Sequence, residues 1–287
     1  MESRKHRSDE SPFDPSRSAA GRFSRYAPEQ EAQSRVPSVR SDSVLRRINE
    51  IWGSYPSKKF FEAADTRKRS KAIREIRALG HTPGDIADFV LSMNSLPDPG
   101  KTQFSGGYFV SDLINNCPAE SFELHTRHLD LPLNGLGFRN TKQIAIHGDV
   151  GDMLALGMLS GRIIVHGNAG SAQPASGPDA KVGPIAACNM HGGVLIVEGD
   201  VCGVGERMVG GSVFVLGDAF SVGHRMRGGE ITVYGDVTGK VSWSRGSTIR
   251  LFGQCPHLPR PDDKRVSKTE TGRIYAEGAL VRGSAVG

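Results

Sequence analysis

The sequence predicts a mainly β protein, a parallel β-helix with turns of about 18 residues, preceded by a small α-helical region. Three observations support this fold class. A Gly-Asp step or a close variant recurs along 142–255, the apolar residues before it alternate with other residues, and a Met-x-Gly-Gly segment follows the central copies. Self-similarity at a fixed period is typical of solenoids, in which each turn buries its apolar face by stacking on its neighbours.

Glycines are predicted to mark the corners of the coil, because glycine adopts backbone conformations that a Cβ atom would forbid. Six of them begin the recurring step, at intervals of 19, 32, 18, 18 and 18 residues: Gly148, Gly167, Gly199, Gly217, Gly235 and Gly253. Three pairs precede a strand: Gly192, Gly193, Gly210, Gly211, Gly228 and Gly229. The Asp or Asn that follows each step is expected to hydrogen-bond its own nearby backbone.

Short strands are predicted directly before each step. Of the four residues there, the first and third are apolar in all six copies, and the third-position residues are Ile146, Val165, Val197, Val215, Val233 and Leu251. Side chains alternate between the two faces of a strand, so these two columns are predicted to fill the interior. A column of methionines is predicted to line an interior corner, which a flexible thioether suits: Met158, Met190, Met208 and Met226.

The chain before the coil is predicted to have two parts. Residues 1–42 are polar and are predicted to form a disordered tail, because they cannot bury enough apolar surface to offset the entropy of ordering. Residues 43–96 are predicted to form a small helical region of three helices. The third helix begins after Thr82, which forms a capping box with Asp85.

The coil itself is predicted over 142–255, with a segment on each side. Residues 97–141 are predicted to be a strand-like cap on the N-terminal end of the coil, with turns at Gly106-Gly107, Asn115-Asn116 and Asn134-Gly135. Residues 256–287 are predicted to be a charged C-terminal tail with a brief strand at Arg273–Glu277. The 32-residue interval contains an insertion, Ser171–Pro184, which is either a loop on a binding face or a tolerated surface excursion.

Composition restricts the functional class. The longest apolar run is shorter than the roughly 20 residues that a membrane span requires, and the polar N-terminus predicts no secretory signal. The four scattered cysteines are expected to be reduced thiols, which is typical of a cytoplasmic protein. The net charge of +5 arises in 46–80, which contains 10 Lys and Arg against 4 Asp and Glu.

The basic segment allows two interpretations. A helix followed by glycine and a capped helix is similar to a helix-turn-helix, and nucleic acid could be bound by Lys58, Lys59, Arg67, Lys68, Arg69 and Lys71. Alternatively, these side chains form the exposed face of a helical adaptor that docks a partner or covers the coil end. The second interpretation is favoured, because a capping box and a short helix pair have little specificity.

The only candidate metal ligands lie in the fourth column of the strands. His147 and His166 are predicted to lie about 5 Å apart in adjacent turns, and Glu198 follows in the same column, which suggests a two-histidine, one-carboxylate site. The column continues with apolar residues, however, and outward positions of a ladder accept almost any side chain. No metal, cofactor or catalytic residue is therefore predicted, and His125 and His128 are interpreted as a surface pair.

The repeated pattern resembles the Gly-x-Gly-x-Gly β-helix superfamily over about 122–255, most closely in Gly205–Gly211 and Gly223–Gly229. This superfamily includes the β-helical subunit of formylmethanofuran dehydrogenase, its relative in the bacterial formyltransferase/hydrolase complex, and the C-terminal domain of the large chain of glutamate synthase. The resemblance implies a right-handed β-helix that holds catalytic subunits together and supplies no catalytic residue.

The leading functional expectation is therefore a non-catalytic scaffold in a cytoplasmic multi-subunit enzyme, an oxidoreductase or formyl-transfer complex of one-carbon metabolism. Its partners would be the catalytic subunits of that complex. A domain-coupling role of the glutamate synthase type is the alternative within the same superfamily. Two further alternatives are a nucleic-acid-binding or regulatory adaptor and an enzyme using the 171–184 loop with the His147 and His166 column.

Overall fold

The structure is a parallel β-solenoid with helices at its N-terminal end, as the sequence predicts. The computed structural model describes residues 43–57, 63–170, 185–242, 246–256, 273–276 and 279–282, all within one unit, Val39–Gly287. The predicted disordered tail, Lys58, Lys59 and the insertion 171–184 lie outside the described residues, as does most of the predicted C-terminal tail.

Twelve strands occupy the described part of the chain. They are β1 (Ser121–His125), β2 (Gln143–His147), β3 (Arg162–His166), β4 (Ile185–Ala186), β5 (Val194–Val197), β6 (Val201–Val204), β7 (Ser212–Val215), β8 (Ala219–Val222), β9 (Gly229–Val233), β10 (Ser247–Leu251), β11 (Arg273–Ala276) and β12 (Ala279–Arg282). The larger sheet has the order β1-β2-β3-β5-β7-β9-β10-β11-β12, and the smaller has the order β4-β6-β8. Pairs are parallel except β11 with β12.

The predicted register and interior are confirmed. Ile146 pairs with Val165, which pairs with Val197, and the file continues without a shift to Leu251. Every residue of this third column is at most 1% exposed, and the four predicted methionines are 0% exposed. The coil extends beyond the predicted range 142–255, because β1 adds a turn before it and β11 pairs with β10 after it.

In the part of the chain that the structure describes, four α-helices precede the coil: α1 (Ser43–Ser54), α2 (Ala63–Arg77), α3 (Pro83–Ser92) and α4 (Pro99–Asn115). The capping box predicted for α3 is present, since the Thr82 hydroxyl accepts from the Asp85 backbone N–H and the Asp85 carboxylate accepts from the Thr82 backbone N–H. The apolar faces of these helices meet around Phe109. The centroid of its ring lies 5.3 Å from that of Trp52 and 5.2 Å from that of Phe89.

The strand-like interpretation of 97–141 is wrong for α4. Asp98 caps this helix by accepting from the Lys101 backbone N–H at 2.9 Å, and Gly106 and Gly107 lie inside it rather than in a turn. The two glycines permit close packing, because a Cβ on Gly107 would lie 2.6 Å from the backbone nitrogen of Leu136. Helix glycines and turn glycines are not distinguished by sequence alone.

The helical region docks directly on the first turn of the coil. Helix α3 packs against β1, and the backbone N–H of Asn134 donates to the carbonyl of Gln103 in α4 at 2.9 Å. The Asn115 side chain at the end of α4 donates to the Phe138 carbonyl at 2.9 Å. None of the helices that the structure describes has the length and apolar character needed to cross a bilayer.

The corner glycines act in two ways, and only the first was predictable from the sequence. Gly211 has a φ of 92°, as expected for a left-handed corner. Gly217 has no such φ; a Cβ there would lie 2.6 Å from the backbone oxygen of Gly199 in the preceding turn. Glycine therefore occupies the first position of each Gly-Asp step because successive turns approach closely there.

The aspartates after these glycines bond to the next turn rather than to their own backbone. The Asp200 side chain accepts from the Asp218 backbone N–H at 2.8 Å, and Asp218 accepts in the same way from Asp236 at 2.7 Å. Asn168 makes the same bond to Asp200 at 2.9 Å, so the amide serves as well as the carboxylate. This ladder corrects the predicted local hydrogen bond and ties the turns together.

Candidate partner-binding surface

The outer face of the larger sheet carries one continuous column of side chains, the fourth column of the repeat. We call it the outer stripe, and its members are His125, His147, His166, Glu198, Leu216, Tyr234 and Phe252. Backbone hydrogen bonds fix its register, since the N–H groups of Leu216, Tyr234 and Phe252 each donate to the turn before at 2.9–3.0 Å. The stripe changes character along the coil, from imidazole and carboxylate to apolar.

The first half of the outer stripe is a stack of three imidazoles. The ring of His147 lies 4.8 Å from those of His125 and His166, each at an interplanar angle of 17°. This confirms the predicted adjacency of His147 and His166. His125 and His128 are both exposed, as predicted, but they do not pair with each other, because β1 places His125 in the stack and the His128 ring bonds to the Val90 carbonyl at 3.2 Å.

The candidate metal ligands do not converge. His147 Nε2 lies 2.9 Å from the Glu123 carboxylate, and His166 Nδ1 lies 2.9 Å from that of Glu198. Two nitrogens bound to one zinc ion lie within about 4 Å of each other, since each Zn–N bond is about 2.0 Å, and near-parallel rings 4.8 Å apart do not point at a common centre. Across the described ranges, no group of three His, Cys, Asp or Glu residues could hold a metal ion.

The second half of the outer stripe is an exposed apolar ridge formed by Leu216, Tyr234 and Phe252. These side chains are 48%, 48% and 50% exposed. The rings of Tyr234 and Phe252 stack at 5.1 Å and 11°, so each covers a face of the other and their edges point outward. A ridge of ring edges suits packing against apolar side chains of another protein, and a contiguous exposed apolar patch commonly marks such a contact.

One of the predicted nucleic-acid ligands, Arg69, is a structural residue. Its guanidinium forms a two-point ion pair with the buried Asp112 carboxylate, at 2.8 and 2.5 Å, and lies 4.9 Å from the Phe138 ring centre. Burial lowers the pKa of Arg69, but the bonds and charge of Asp112 outweigh burial, so the net pKa is raised. The prediction for Arg69 is corrected, because its side chain contacts Asp112 in α4 and Phe138 in the coil and so links α2 to both.

Tyr55 completes this buried cluster. Its hydroxyl donates to Asp112 at 2.7 Å, and burial together with the Asp112 charge raises its pKa, which keeps the phenol protonated. A carboxylate inside the apolar run of α4 is the sequence signal that was missed, because a buried charge requires a partner.

Three nucleic-acid candidates remain among the described residues, all exposed on α2: Arg67, Lys68 and Lys71. Lys68 lies 3.8 Å from Asp65 and Lys71 lies 3.9 Å from Glu75, so part of this positive charge is balanced within the helix. Nucleic-acid binding through this face stays a prediction.

The four cysteines form no disulfide, and three of them are buried: Cys117, Cys188 and Cys202. Burial raises the pKa of the Cys188 and Cys202 thiols, which disfavours the reactive thiolate.

Comparisons of the chain with protein-family models, with curated proteins and with solved structures find no match in any of the three.

Proposed function

We propose that this chain is a non-catalytic scaffold within a cytoplasmic multi-subunit enzyme, and that it binds a catalytic partner through the apolar ridge of the outer stripe. The observation that carries the proposal is the exposure of Leu216, Tyr234 and Phe252 side by side on a rigid sheet. Covering such a ridge with another protein stabilises the complex by about 25 cal/mol per Å² of apolar surface buried.

The rest of the coil supports the same role. Its interior is filled by two apolar columns and its turns are joined by a ladder of side-chain bonds, so the backbone that carries the ridge is held in one conformation. A preorganised surface loses little entropy on binding, which favours stable assembly. The proposed enzyme class rests only on the resemblance of the repeat to the Gly-x-Gly-x-Gly β-helix superfamily. By that resemblance the complex would be an oxidoreductase or formyl-transfer complex like that of formylmethanofuran dehydrogenase, or alternatively a glutamate synthase-type assembly.

Co-purification of the full chain from native lysate tests the scaffold role. The expected result is stoichiometric recovery of one or more enzyme subunits, identified by mass spectrometry. Recovery of the chain alone at every concentration would contradict the role.

Binding measurements with the purified partner then test the ridge. The double variant Tyr234→Gln with Phe252→Gln should bind about tenfold more weakly or worse, because two half-exposed rings no longer contribute apolar contact. The matched control is Phe104→Gln, which removes a ring of 52% exposure on α4 and should leave affinity within about twofold. Equal effects of the two variants would remove the ridge from the proposal.

A further inference from the structure

A second surface of the coil carries arginines in a backbone conformation that disfavours them. At one corner, five turns each place a residue at a φ between 50° and 61°: Arg139, Gly157, Asn189, Arg207 and Arg225. Glycine and asparagine adopt this left-handed conformation most readily, whereas a longer side chain adds about 1–2 kcal/mol of strain. Arg207 and Arg225 therefore reduce the stability of the turns that they occupy.

These two arginines are neighbours on the coil. The backbone N–H of Arg207 donates to the carbonyl of His224 at 2.8 Å, which places Arg225 one turn further along the same column. Successive turns of a parallel coil are separated by about 4.8 Å, so the two arginine side chains leave the backbone at neighbouring positions. Met208 and Met226, each 0% exposed, anchor the corner directly after them.

Further basic side chains surround the pair. Arg227, His191 and His224 are exposed, and with Arg207 and Arg225 they form what we call the basic corner. The acidic group at this corner is Glu206, 3.6 Å from the Arg207 Nε. Within the ranges that the structure describes, Arg225 and Arg227 form no ion pair, so the corner keeps an excess of positive charge.

One apolar side chain adjoins this charge. Val209 is 44% exposed and occupies the same column as Arg227 and His191, since the Val209 and Arg227 N–H groups donate to Met190 and Met208 in successive turns. Arginines beside an exposed apolar residue are typical of protein interfaces, where the planar guanidinium binds a carboxylate through two bonds.

We propose that the basic corner binds an acidic segment of a partner protein, with carboxylates on Arg207, Arg225 and Arg227 and an apolar side chain against Val209. The strain at Arg207 and Arg225 is retained because these positions serve binding. A protein is favoured over nucleic acid because Val209 offers an apolar contact beside the arginines, whereas no Phe, Tyr or Trp of the described residues is exposed at this corner. The proposal shares no residue with the apolar ridge and stands independently of it.

The test uses a double variant that should not damage the fold. Arg207→Asn with Arg225→Asn introduces at both sites the residue that already occupies the equivalent position, Asn189. The variant is expected to unfold at the same or a higher denaturant concentration, because strain is relieved. Its affinity for a fluorescent peptide of alternating glutamates and leucines, measured by anisotropy at low salt, is expected to fall about tenfold or more.

The matched control removes the same charge elsewhere. Arg67→Asn with Lys71→Asn on α2 should leave the peptide affinity within about twofold, as should Tyr234→Gln with Phe252→Gln on the ridge. An equal loss in the α2 control would show general charge attraction and would overturn the proposal. It would also be overturned if the wild-type chain does not bind the peptide, or if single-stranded RNA binds the corner more tightly than the peptide does.

Discussion

The helical region and the coil are stabilised by opposite kinds of contact. In the helices, the decisive bonds occur once and join residues far apart in sequence: Tyr55 and Arg69 reach Asp112 across 57 and 43 residues, and the Lys101 ammonium donates to the Trp52 carbonyl across 49. In the coil, one bond is repeated every 18 residues, as in Asp218 to Asp200 and Asp236 to Asp218.

This difference determines how each region responds to damage. Because the same contact recurs between neighbouring turns, each turn adds a similar contribution to the stability of the coil. Removing one such contact therefore lowers the free energy of unfolding only modestly. A unique buried ion pair concentrates its effect at one point, because removal of one partner leaves the other charged and without compensation. Comparable substitutions in the two regions are thus expected to change the free energy of unfolding by different amounts and, in one case, in opposite directions.

The largest effect is expected for Asp112→Ala in α4. The substitution leaves the Arg69 guanidinium and the Tyr55 hydroxyl without their acceptor, and we expect the free energy of unfolding to fall by about 3–5 kcal/mol. Urea unfolding monitored by circular dichroism measures the change. Asp130→Ala, at an exposed carboxylate, is the control and should change stability by no more than about 0.5 kcal/mol. Similar values for the two would show that the ion pair does not stabilise the helical region.

An intermediate effect, opposite in sign between the regions, is expected for glycine to alanine. Gly217→Ala places a methyl group 2.6 Å from the Gly199 backbone oxygen and should lower the free energy of unfolding by about 1–3 kcal/mol. Gly53→Ala in α1 has no atom within 4 Å of the added Cβ and should raise it by up to about 1 kcal/mol, because alanine favours helix. Thermal unfolding compares the pair, and a stabilised Gly217→Ala would refute the close approach of the turns.

The smallest effect is expected within the ladder of the coil. Asp218→Ala leaves the Asp236 backbone N–H without its acceptor and should lower the free energy of unfolding by about 1 kcal/mol. Asp218→Asn should change it by less than about 0.5 kcal/mol, because Asn168 already makes the equivalent bond. If the asparagine variant were as unstable as the alanine variant, the charge rather than the hydrogen bond would stabilise this corner.

The predictability of the candidate surfaces follows the same division. The adjacency of His147 and His166 was predictable, since the period alone places equivalent residues on neighbouring strands. The basic corner and the role of Arg69 were not, because a left-handed φ at Arg207 and a partner 43 residues away at Asp112 leave no periodic signal. The same limitation made α4 resemble a turn-rich segment, since Gly106-Gly107 has the composition of a turn.

The sequence by itself determined the coil: its parallel strands, its register and its filled interior all follow from an 18-residue period with alternating apolar positions. It did so because each turn contacts only its neighbours, so local pattern and tertiary contact carry the same information. Only the tertiary structure decided how α1 to α4 pack on the first turn, why Gly217 must lack a side chain, and which arginines are buried and which are exposed. Those outcomes depend on single long-range contacts, which a repeat does not encode.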